Sequence, residues 1–137
     1  MAQDLGLDFA AGPTVTLLSS DLTDGSQSAF TATVDFGNPA PIAFGHELIL
    51  TTLTGTTGPV TLQVAWSHDN SDFSDANNVQ NVVTATMAAS TDNEAVGSSA
   101  VMAQYAKFRL DNQSGGTVDG TSSNTALILT DIFGDQS

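Results

Sequence analysis

Apolar and polar residues alternate along much of the chain in short runs broken by Gly, Pro, Asn and Asp. The clearest run is VTLQVAWS (60–67), which sets Val60, Leu62, Val64 and Trp66 against Thr61, Gln63, Ala65 and Ser67. A period of two is that of a half-buried β-strand. AFTATVDF (29–36) repeats it, with Phe30, Ala32, Val34 and Phe36 expected inward and Thr31, Thr33 and Asp35 outward. TVTLLS, HELILTTL, VQNVVTATMA and VMAQYAKFRLDN continue the pattern; in the last, Met102, Ala106, Phe108 and Leu110 are expected to face the core, with Gln104 interrupting them. TALILTDIF is apolar on both faces, as a central or interface-covered strand is.

Between these runs lie turn formers: Asp24-Gly25, GNPAP, GTTGP, the polar STDNEAVGSS and SGGTVDGTSSN. No amphipathic helix of useful length is visible. The pattern predicts an all-β chain, a single antiparallel β-sandwich, jelly-roll-like, of about seven to eight strands. At 137 residues one core is expected, in a sandwich domain over 14–137. Residues 1–13 are expected to form an extended N-terminal arm in which Leu5, Leu7 and Phe9 alternate and pack across a neighbouring subunit. A simple edge strand and a disordered tail are the alternatives for this segment.

Composition narrows the setting. Hydrophobic residues make up 40% and charged ones 12%, so solubility rests on Thr, Ser, Asn, Gln and Gly. Two cations, Lys107 and Arg109, face fifteen acids, for a net charge of −13. Binding to nucleic acid or an anionic membrane draws on cations that this chain lacks, so neither is an expected partner. Thirteen of the acids are Asp, which suits loops and turns, since Asp bonds its own backbone. Without Cys there is neither disulfide nor thiolate metal site. The first residues, MAQDLGLDFAAGP, carry no basic segment or long apolar run, so synthesis in a cytoplasm without a signal peptide is expected.

Candidate chemistry is sparse. His46 and His68 stand in no paired-ligand spacing, and no GxSxG elbow or phosphate-cradling GxxxxGK[ST] loop occurs. No enzyme activity and no cofactor are expected. The loop SHDNSDFSDANN (67–78) offers hard oxygen donors of the class Ca²⁺ takes, at Asp69, Asp72 and Asp75, but without EF-hand spacing. Asx-turns account for the same residues without a metal. Trp66 and Phe73 complete this ligand-loop candidate; Phe73 is expected to fold back over Trp66 as a lid on the core.

VAWSHDNSDFSD, followed by YAKFRLDNQSG, resembles the strand, polar loop and aromatic-x-basic-x-basic strand of discoidin-like and galactose-binding-like β-sandwiches. It is also similar to small virion proteins of tailed bacteriophages, capsid decoration (cement) proteins among them. The resemblance spans Val60 to Gly115. It implies a virion structural protein on the outer capsid surface, with the major capsid protein as partner and a homo-oligomer, a trimer by family likeness. Leu5, Leu7 and Phe9 are the expected apolar contacts, and Lys107 and Arg109 the cations expected to meet capsid carboxylates. The rival expectation is a carbohydrate- or receptor-binding module built on Trp66, Phe73 and the acidic loop. A tail or neck subunit is a third.

Overall fold

The computed structural model describes residues 7–53, 58–73, 79–87, 92–121 and 125–134. They form eight strands: β1 (Leu7–Val15), β2 (Val34–Asp35), β3 (Ala43–Thr51), β4 (Pro59–Ser67), β5 (Gln80–Thr86), β6 (Asp92–Ala100), β7 (Tyr105–Asn112) and β8 (Ala126–Gly134). Two four-stranded antiparallel sheets result, ordered β1-β8-β3-β6 and β2-β7-β4-β5. The pairings β1 with β8, β2 with β7, β3 with β6 and β4 with β5 are nested, as if one long hairpin had been rolled up. That is a jelly roll, the all-β sandwich the alternation predicts.

The alternation of β4 holds: Val60, Leu62 and Val64 are buried, and Trp66 packs against the core from its rim. Beside them in the same sheet stand Ala106, Phe108 and Leu110 of β7, and facing them from the other sheet come Phe44, Leu48 and Leu50 of β3 and Leu127 and Leu129 of β8. Phe44 is the centre of an aromatic cluster, its ring centroid 5.5 Å from Phe36, 5.9 Å from Trp66 and 6.0 Å from Phe108. Edge and tilted contacts of this kind suit the ring quadrupoles.

Four local expectations are corrected. In AFTATVDF only Val34–Asp35 is regular strand. Upstream, the hydroxyls of Ser28 and Thr31 accept the backbone N–H groups of Leu110 and Phe108, so side chains replace part of a regular ladder along β7. STDNEAVGSS, read as a polar break, contains β6, paired with β3 along nine residues. Its inward positions are Asn93, Ala95, Gly97 and Ser99, one polar and three too small to betray an apolar stripe. Met102 is exposed rather than inward, because residues 101–104 turn between β6 and β7. TVTLLS gives β1 only its first two residues, while Leu17 and Leu18 are buried outside any strand.

The segment expected as an arm lies, from Leu7 on, in β1, an edge strand paired with β8. Residues 1–6, Leu5 included, lie outside the described residues. At the end of β7, Asn112 is fully buried and ties the following turn together. Its amide donates to the carbonyls of Leu22 and Gly116, and its oxygen accepts from the backbone and hydroxyl of Ser114.

Candidate contact surface

β1 places Leu7 and Phe9 on the outer face of its sheet, and both are exposed, Phe9 by 66%. Their neighbours on β8 are Gly134 and Ile132. Direct partners in an antiparallel ladder project from the same face, so the register carries this face across the sheet, although Ile132 itself is buried. One row joins Phe9, Ile132, Ala43 and Ala100; the next joins Ala11, Thr130, Gly45 and Ser98; a third joins Thr14, Ile128, Glu47 and Val96. Val96 is 71% exposed and Ile128 is exposed as well.

The outer face of the other sheet differs. There Thr61 and Thr84 share a hydroxyl bond, Gln63 donates to Asn81, and Lys107 and Arg109 project from β7. The expectation that both cations meet a partner's carboxylates is corrected for Arg109. It is buried: its Nε donates to Gln63 Oε1 at 2.8 Å, and its guanidinium stands 4.9 Å from the Phe30 ring centroid. Lys107 is half-buried, its Nζ 4.3 Å from the centroid of Phe73.

That contact also corrects the lid expected over Trp66. Trp66 faces inward, its ring 5.9 Å from those of Phe36 and Phe44 and its Nε1 donating to Gln80. Phe73 lies instead under the Lys107 ammonium, which leaves β7 between the buried Ala106 and Phe108 and therefore outward. The two rings do not form one platform.

In the acidic loop, Asp69 Oδ1 accepts from the Ser67 hydroxyl and from the backbone N–H groups of Ser71 and Asp72, each at 2.9 Å. Asn70 makes the bend possible with a φ of 59°, a conformation Asn tolerates. The N–H groups of Asp72 and Ser71 and the Ser67 hydroxyl hold the Asp69 carboxyl below its ordinary range. Asp72 is exposed. Asp75 lies outside the described residues, among which no group of three His, Asp or Glu is placed to hold a metal.

One polar cluster escaped the sequence reading. His46 sits in the middle of β3 and is buried, its Nε2 3.2 Å from the Ser99 hydroxyl. Burial lowers its pKa. Asp131, opposite Phe44, has its pKa raised by desolvation. Neither His46 Nδ1 nor Asp131 Oδ1 makes a hydrogen bond, so Ser99, His46 and Asp131 are not linked as a relay. A cleft of about 520 Å³ opens between β1 and β2, lined by Pro13, Val15, Thr33 and Val34 among others. Its one carboxylate, Asp35, is occupied by the Gly37 N–H and the Gln104 amide.

No family model matches the chain, and no curated protein matches it. Among solved structures, that of murine APRIL at pH 8.5 is similar with a TM-score of 0.53 and 6% identity, over 92% of this chain and 99% of that one. A second murine APRIL structure, at pH 8.0, gives 0.47 and 8% over 91% and 97%. At 6% identity the likeness to the first is one of fold, the jelly-roll β-sandwich.

Proposed function

We propose that the protein is a virion structural protein, a capsid decoration protein that binds the outer surface of an assembled capsid and stabilises it. The observation that carries this reading is the solvent exposure of Leu7 and Phe9 side by side on the edge strand of a rigid sandwich. Exposed apolar side chains of this size gain most when a partner covers them. The acidic surface is in keeping with the outside of a shell rather than its DNA-facing interior.

The mechanism is adhesive. Area buried across the seams between capsid subunits clamps them, and a protein that binds only the assembled shell stabilises that state by mass action. In this reading the chain works as a homo-oligomer, a trimer at local threefold positions, with the major capsid protein as partner. The carbohydrate-binding alternative loses support from the geometry, because Trp66 and Phe73 face opposite sides of their sheet.

Cosedimentation with expanded empty capsids from the same source tests the reading. Wild-type protein pellets with capsids, and replacement of Leu7 and Phe9 by Ser lowers its occupancy while leaving the melting temperature unchanged. Undiminished occupancy of that variant refutes the role of β1. Wild-type protein that stays in the supernatant refutes decoration altogether.

A further inference from the structure

We infer that the docking surface is the whole outer face of the β1-β8-β3-β6 sheet, and that it receives an apolar protein ridge carrying a Lys or Arg that meets Glu47 and Glu94. The inference rests on the decoration reading for its occupant, the capsid shell, and goes beyond it in naming the surface and the partner's chemistry.

The register sets Ile128, Glu47 and Val96 side by side across β8, β3 and β6. Neighbouring strands lie about 4.8 Å apart, so one carboxylate stands between two exposed branched side chains. Glu94, two residues before Val96 on the same face, is exposed. Phe9 lies two rows away, beyond a row of small residues that includes Ala11, Gly45 and Ser98. A solvated sheet face is polar at such positions, as the outer face of the other sheet is. An exposed apolar face that carries a carboxylate within it, at Glu47, and another at its edge, at Glu94, has the make-up of an interaction site.

Charge decides among occupants. A second copy would set Glu47 and Glu94 against the same carboxylates. The chain's two cations leave the opposite sheet, where they stand over Phe73 and Phe30. A lipid surface with anionic headgroups would repel the same carboxylates. A foreign protein with a cation amid apolar side chains satisfies both features of the face, and charge complementarity then fixes its register.

Capsid cosedimentation with two variants of equal charge change provides the test. Val96→Lys places its ammonium on this face, and Thr84→Lys places one at an exposed position of the other sheet. Val96→Lys is expected to weaken capsid binding by about tenfold or more, the effect of losing one central contact. Thr84→Lys is expected to bind within about twofold of wild type, and Glu94→Gln to flatten the salt dependence of binding. Equal melting temperatures exclude misfolding, since Val96 is exposed. If wild type binds and Val96→Lys binds as well, or if both Lys variants lose affinity alike, the surface is misplaced while the decoration reading stands. If wild type does not bind capsids, both fall together.

Discussion

A Cβ built on Gly97 of β6 would come within 2.9 Å of Cε1 of His46 on the neighbouring strand β3. The imidazole occupies the space a side chain would take, held there by the Ser99 hydroxyl and by Phe44, whose ring centroid is 5.5 Å away. The buried ring has nowhere to retreat without disturbing that cluster. Gly97→Ala is therefore expected to destabilise the fold by about 1–3 kcal/mol, the usual cost of overpacking. Urea unfolding measures it, and an unchanged midpoint would show that the ring yields freely.

His46 also sets a pH dependence. Burial lowers its pKa below the ordinary 6.5. Between the lowered folded value and 6.5 the unfolded chain binds more proton than the folded one, so stability is fully present above 6.5 and declines as pH falls through the folded value. His46→Leu should flatten the loss of stability between pH 7.5 and 5.5. Parallel urea profiles for variant and wild type would remove His46 as the cause.

Asp131 has the opposite sign. Desolvation raises its pKa above the ordinary 3.8, so its contribution is complete below 3.8 and is lost as pH rises through the folded value. Asp131→Asn is expected to raise the melting temperature at pH 7 and to leave it unchanged at pH 3, where the native carboxyl is already neutral. A gain of equal size at both pH values would point to packing instead.

The two cations should respond unequally to removal. Arg109→Met leaves Gln63 Oε1 without the Arg109 Nε donor in a buried position, at an expected cost of about 1–3 kcal/mol. Lys107→Ala gives up a half-buried contact with Phe73, expected to be worth about 1 kcal/mol or less. Chemical denaturation of both proteins compares them, and a larger loss at Lys107 would reverse the assignment.

Asp69 is the latch of its loop. Asp69→Ala is expected to speed hydrogen exchange at the Ser71 and Asp72 amides while leaving the amides of β4 protected. Because hydrogen bonds to the ionised form hold its pKa below 3.8, the latch should persist at pH 5 and open only as pH falls through the folded value. Unchanged exchange in the variant would mean that the loop is ordered by other contacts.

Legibility in the sequence followed side-chain size. Val60, Leu62, Val64, Phe108 and Leu110 announced their strands because large apolar residues alternate with polar ones, and all five are buried. β6 carries almost no periodic signal because its inward positions are Asn93, Ala95, Gly97 and Ser99, while its most apolar residue, Val96, points outward. The contact candidates divided in the same way. Leu7 and Phe9 were visible as an alternating pair, but Ile128 looked like one more residue of a run that is apolar throughout. Lys107 and Arg109 were legible as sharing a face, yet not as standing over phenylalanines from distant loops.

Alternation at period two and frequent turn formers determined by themselves that this chain is an antiparallel sandwich, because each strand must bury one face and turn back within a few residues. The acidic composition likewise set the sign of the surface charge, since fifteen acids face two cations. Only the tertiary structure decided which strands are neighbours. Nested pairing brings residues such as Phe9 and Ile132, far apart along the chain, into one row, and no local pattern encodes that distance. The same register, fixed by burying the inner faces, decided which apolar side chains, Phe9, Val96 and Ile128 among them, are left in water.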